Sequence, residues 1–199
     1  MHGAEHGLGP SIQNGLAVCY LLLVVMNLGF AAYHLFISKN QQLTKIASIC
    51  AGVFLLHALL YYPGIRSGLM LPESFRGFTT RLMGLYGGQA GPILYVGVSI
   101  AAFVAVLYYR KWFSEPSVAW SLLNVSLLVS GWSITDPEFR LIVTKEDNVP
   151  IVLLIFSVGF FTWFYLRMAV RNDQRLAAAL LIMIHFWRVR KDGGISGPM

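Results

Sequence analysis

Residues 15–37 run for 23 positions without a charged side chain, and that single stretch narrows the possible folds more than anything else in the chain. About 20 apolar residues in helical form cross the hydrocarbon of a bilayer. Within that layer only a helix, or a closed barrel, satisfies its own backbone N–H and C=O groups. The stretch ends at Lys39 and is followed by further runs of the same kind. Only 12% of all 199 residues are charged, against about 25% in a typical soluble domain. A helical membrane protein is the expectation.

Five more apolar runs follow, at 46–62, 89–109, 118–135, 150–166 and 176–187. The expected fold class is therefore all-α and polytopic, a single membrane domain over 1–199 with about six transmembrane helices. The last run has only 12 residues before Arg188. It is short enough to re-enter the membrane, or to span it with its charged ends snorkelling. Asp147 or Asn148 is placed to cap the fifth span, with Pro150 in its first turn. Between the second and third runs, Phe75, Phe78, Leu82 and Leu85 recur at helical spacing opposite Arg76 and Arg81. They predict an amphipathic helix over about 69–87, lying in the interface. Trp112, Trp120, Trp132, Trp163 and Trp187 fall at or near span ends, where an aromatic belt is expected.

Charge adds little at this stage. The formal charge of +6 belongs to clusters flanking apolar spans, which meet lipid headgroups; no basic-aromatic surface argues for nucleic acid. Let side A be the face of the amino terminus. With six spans, side A holds eight Lys and Arg and side B seven, so the positive-inside rule favours neither orientation. Cys19 and Cys50 both lie inside spans, which argues against a disulfide framework, and no Cys-x-x-Cys-His is present for covalent haem attachment. The first apolar run starts only near Gly15, lacks a positive leading region and is too long for a signal sequence.

Of the five histidines, His2 and His6 lie in the amino-terminal segment and read as a solvated pair. His34, His57 and His185 are inside spans, and an ionisable residue at membrane depth is a functional candidate by default. His34 lies about 5 Å from the side B end of its span at the helical rise. His57 lies about 7.5 Å, and His185 about 3 Å, from the side A ends of theirs. Two imidazoles at one level on separate helices are what axial ligation of a b-type haem requires. The competing reading is that each bonds a neighbouring hydroxyl or carbonyl and serves only helix packing.

The closing segment "HFWRVRKDGGISGP", residues 185–198, resembles the end of the fourth helix of bc-type cytochrome b subunits, the quinol-oxidising membrane subunits of respiratory and photosynthetic complexes. In that family a haem-ligating His-Phe passes through an Arg-Lys pair into a Gly-Ile-Ser-Gly-Pro tail that emerges into the cytoplasm or its equivalent. The resemblance implies that His185 is an axial ligand of haem b and that Arg188, Arg190 and Lys191 lie near its propionates. His57 is the partner ligand by depth. It also implies a quinone-linked electron-transport complex of several subunits in a bacterial-type inner or other energy-transducing membrane. The match covers 14 of 199 residues. The family carries two histidines on each of two helices, whereas spans two and six here carry one each, and its Pro-Glu-Trp-Tyr motif is missing. One haem, with quinone exchanging electrons with it, is the most the resemblance delivers. The alternative is a cofactor-free subunit that anchors a larger redox complex.

Other chemistry is sparse. Asp136, Glu138, Glu146 and Asp147 share a loop with Arg140 and Lys145 and read as a solvated face. Asn124-Val125-Ser126 matches the glycosylation pattern but lies inside a span. The spans lack the buried Asp or Glu that proton-coupled transporters carry, so a transporter ranks last. The chain is not expected to be an enzyme by itself.

Overall fold

The structure, a computed structural model, describes residues 8–62 and 72–192, which contain helices and no strand. His2, His6, Arg66 and the tail from residue 193 onward lie outside the described residues. Helix α1 (Pro10–Phe36) starts with Pro10 in its first turn, where a missing N–H leaves no bond unmade. A tight turn through Lys39, in the left-handed region at φ 52°, leads into α2 (Gln41–Leu60). There the Asn40 side chain accepts from the Leu43 N–H at 3.1 Å and caps the helix.

The two helices pack as an antiparallel hairpin. Leu16, Tyr20, Val24, Asn27 and Ala31 form the inward stripe of α1, and Leu43, Ala47, Ala51, Phe54 and His57 that of α2. The alanines let the two backbones approach closely, as small residues do between membrane helices. This hairpin holds most of the core.

The amphipathic segment becomes α3 (Glu73–Gly87), packed against the following helix. Residues 69–71 and the side chains of Arg76 and Leu82 lie outside the described residues. Phe75 and Phe78 touch through their rings at 6.5 Å and are exposed, as is Leu85. Next come α4 (Gly91–Tyr108), the short α5 (Arg110–Phe113) and α6 (Pro116–Ser133). After α6 the chain bends by 113° into α7 (Pro137–Val143). The Asp136 carboxylate accepts from the Glu138 and Phe139 N–H groups at the start of α7, at 2.9 and 3.2 Å.

The carboxyl-terminal region departs from the expected six spans. Runs 150–166 and 176–187 are not two spans but one helix, α8 (Val149–Asp192), of 44 residues. The described residues hold four helices long and apolar enough to cross a membrane, or five if the bent α6–α7 pair counts as one. The reason lies in the linking stretch "RMAVRNDQR", residues 167–175. It contains neither Gly nor Pro, and its Arg, Met, Ala and Gln are strong helix formers. Its charges argue for a surface, but none of its residues stops a helix. Asn148 does sit just before α8, though its amide donates to the Ile142 carbonyl at 2.8 Å instead of capping α8.

Side-chain contacts fix the direction of each helix. Trp132, at the end of α6, lies beside His57 at the end of α2, with ring centroids 5.5 Å apart. Trp120, near the start of α6, lies on Phe30 in the later half of α1. Thus α1 runs from side A to side B, while α2 and α6 return to side A. Helix α8 leaves side A after α7, and Arg167 donates to the Ser114 carbonyl, at the side B end of α6, at 3.2 Å. Val149 to Arg167 covers about 27 Å, close to the ~30 Å of a hydrocarbon layer. Helix α8 continues unbroken for 25 residues past Arg167, to Asp192.

Candidate functional site

His57 is 5% exposed. Its Nδ1 lies 2.7 Å from the Val53 carbonyl, one helical turn back, a contact open to any helical histidine that turns toward its own backbone. The ring sits between Tyr20, centroid 5.4 Å away, and Trp132. Tyr20 in turn stacks on Phe54 and Tyr61. Gly131 belongs to the same cluster, because a Cβ there would collide with the Tyr20 hydroxyl. Three buried polar atoms, Tyr20 Oη, His57 Nε2 and Trp132 Nε1, find no hydrogen-bond partner among the described residues.

His185 is elsewhere. It is exposed on α8, 18 residues past Arg167, which puts it about 27 Å beyond the side B contact. His57 lies at the side A end of α2. The shared level expected for the two required the chain to reverse between residues 166 and 176, and the unbroken helix carries His185 away instead. His34, near the side B end of α1, contacts Phe30 and Tyr33 through its ring. Arg188 and Lys191 are exposed near the end of α8, and Arg190 lies over the Phe186 ring at 5.1 Å.

A haem clasped by His57 and His185 does not fit this arrangement. A porphyrin needs a flat slot against each ligating nitrogen, and Tyr20 and Trp132 already flank the His57 ring. The second imidazole stands on the opposite side of the bundle. Among the described residues no three His, Cys, Asp or Glu side chains are grouped so as to hold a metal ion.

The best-satisfied polar assembly inside the spans is one that sequence reasoning missed. The Asn27 amide, wholly buried, donates to Asn124 Oδ1 at 2.7 Å and to the Leu23 carbonyl at 3.0 Å. Trp120 Nε1 donates to Asn27 Oδ1 at 3.0 Å. The Asn124 amide donates to the Trp120 carbonyl at 2.8 Å. Every amide atom of Asn27 is used, so the network ties α1 to α6 with no orphaned group. Trp120 thus joins this polar assembly through its indole N–H while its ring stacks on Phe30. A signal was available: Asn27 lies nine residues before the end of α1 and Asn124 eight after the start of α6. Both are thus about 12–14 Å in from side B.

A second polar assembly marks the side B surface. Arg110 of α5 pairs with Asp173 of α8 at 2.7 Å, both half-exposed, beside the Arg167–Ser114 bond. Arg167 also stacks over Trp163 at 5.6 Å. These contacts hold α8 to the connection between α4 and α6. Compared with known proteins, the chain matches no family model, no curated protein and no solved structure.

Proposed function

We propose that the chain is an integral membrane subunit of a quinone-linked electron-transport complex, in which it anchors and braces other subunits without a haem of its own. The observation that carries this reading is the contrast between its spans. A third of the most apolar window of α1 and of α2 is buried, against 6% for α4 and α8. A bundle complete in itself turns one face of every helix inward, whereas α4 and α8 have almost no inward face. Partner helices supply it. The closed ring contacts around His57 favour a packing role for that residue, and the cytochrome b-like tail favours a quinone-linked complex. Localisation in a bacterial-type inner or other energy-transducing membrane follows from the same resemblance.

Orientation belongs to the same proposal. With α8 unbroken, Arg188, Arg190 and Lys191 move from side A to side B. The eight-to-seven division of Lys and Arg then becomes five against ten, and the positive-inside rule makes side B cytoplasmic. The tail resemblance, in which this segment emerges into the cytoplasm, points the same way. The six-span arrangement, in which 176–187 returns through the bilayer, puts the carboxyl terminus on side A with the amino terminus.

The test pairs two measurements on the chain in its native membrane. Reporter fusions at the two termini read their sides, and a reduced-minus-oxidised spectrum of the purified chain and of its complex reads haem. The proposal expects termini on opposite faces, co-purifying membrane subunits, and a haem spectrum unchanged by His57→Phe or His185→Phe. A b-type signal that vanishes with either substitution refutes it. So does a chain that purifies alone as a stable monomer.

A further inference from the structure

We infer that the side B end of the cleft between α4 and α8 is a binding site for an anionic phospholipid, with one acyl chain in the cleft and the phosphate on the cations around Arg110. The inference rests on the membrane character of the chain and not on the electron-transport reading.

Helices α4 and α8 are not in close contact over their length; α5 joins them, packing on both. Beneath that joint lies a groove of about 320 Å³. Ala102, Phe103 and Leu107 form one wall, and Thr162, Tyr165 and Leu166 the other; the surface they turn into it is apolar. Inside a membrane such a space is filled by hydrocarbon, and a flexible acyl chain conforms to it.

What makes the groove specific is its upper end. On α8 the lining positions Thr162, Tyr165 and Leu166 continue along one face, at spacings of three, four and seven, to Asp173. Arg110 reaches across from α5 to that carboxylate. The pair is half-exposed, and one guanidinium nitrogen bonded to Asp173 leaves further N–H donors free. Lys111, next to it, is exposed and has no ion-pair partner among the described residues. At the joint Arg110, Lys111 and Arg167 stand against Glu115 and Asp173, an excess of positive charge at the depth of a lipid phosphate. A neutral quinone gains nothing from that excess; an anionic headgroup does.

The experiment is native mass spectrometry of the full chain in mild detergent, with add-back of phosphatidylglycerol, phosphatidylcholine or a menaquinone. One phosphatidylglycerol per chain is expected to stay bound at detergent levels that strip phosphatidylcholine. Ala102→Phe, which fills the groove, removes both phospholipids. Should that variant not fold, Thr162→Phe blocks the same space from α8. Arg110→Gln with Lys111→Gln keeps one lipid but lowers the preference for the anionic headgroup, by about fivefold per cation removed. Equal retention of the two phospholipids by the unaltered chain overturns the inference. So does retention of phosphatidylglycerol unchanged by either groove-filling variant, or menaquinone that displaces it.

Discussion

Replacing Asn27 by Leu probes the polar tie between α1 and α6, because the two side chains are close in size and the change is confined to the amide. The substitution removes two interhelical bonds, those to Asn124 Oδ1 and from Trp120 Nε1. Such bonds in membrane proteins average about 0.6 kcal/mol and reach about 1.7 kcal/mol, so the two together are worth about 1–3 kcal/mol. The Trp120 N–H and the Asn124 carbonyl are also left unpaired in an apolar setting, which pushes the loss toward the upper end. The Asn27–Leu23 bond lies within α1 and adds little to helix association. Asn124→Leu alone loses one interhelical bond, and the double variant should lose less than the sum of the singles. The coupling energy is expected at about 0.6–1.7 kcal/mol. Equilibrium unfolding in mixed micelles with graded denaturing detergent, followed by tryptophan fluorescence, measures all four corners of the cycle. A coupling indistinguishable from zero, or an Asn27→Leu variant as stable as the parent, refutes the reasoning.

Two other substitutions have expected outcomes of different size. Gly131→Ala drives a Cβ into the Tyr20 hydroxyl and should destabilise by about 1–3 kcal/mol; combining it with Tyr20→Phe should recover part of the loss in the same unfolding assay. Asp173→Asn breaks a half-exposed ion pair and should change stability by no more than about 1 kcal/mol, and the difference should shrink further when the measurement is repeated at high salt.

The sequence was most legible where chemistry is local. Runs of uncharged residues located the first three spans, and prolines at 10, 92 and 116 sit in the first turns of their helices. Legibility failed where two physical preferences compete. In residues 167–175 four charges say surface while backbone propensity says helix, and the helix continues; counting apolar runs cannot tell a charged loop from a charged helical turn. His57 and His185 were matched by depth, which is right only if every span starts a new crossing, so one unbroken helix undid the match. Trp120 and Asn124 show the reverse case. Each alone reads as a belt residue or a glycosylation pattern, and only their juxtaposition with Asn27, 93 and 97 positions away, gives them a role.

Helix α8 is pinned near Arg167 and free of close packing elsewhere, which makes it mechanically a lever. About 27 Å of rod lies on one side of the pivot and about 37 Å on the other. A subunit that grips the outer arm and swings it by 1 Å therefore displaces the inner arm by roughly 0.7 Å in the opposite sense, by the ratio of those lengths. Val149, at the tip of the inner arm, follows directly on the loop from α7. Tilting the rod on one face of the membrane thus pulls on a connection at the other.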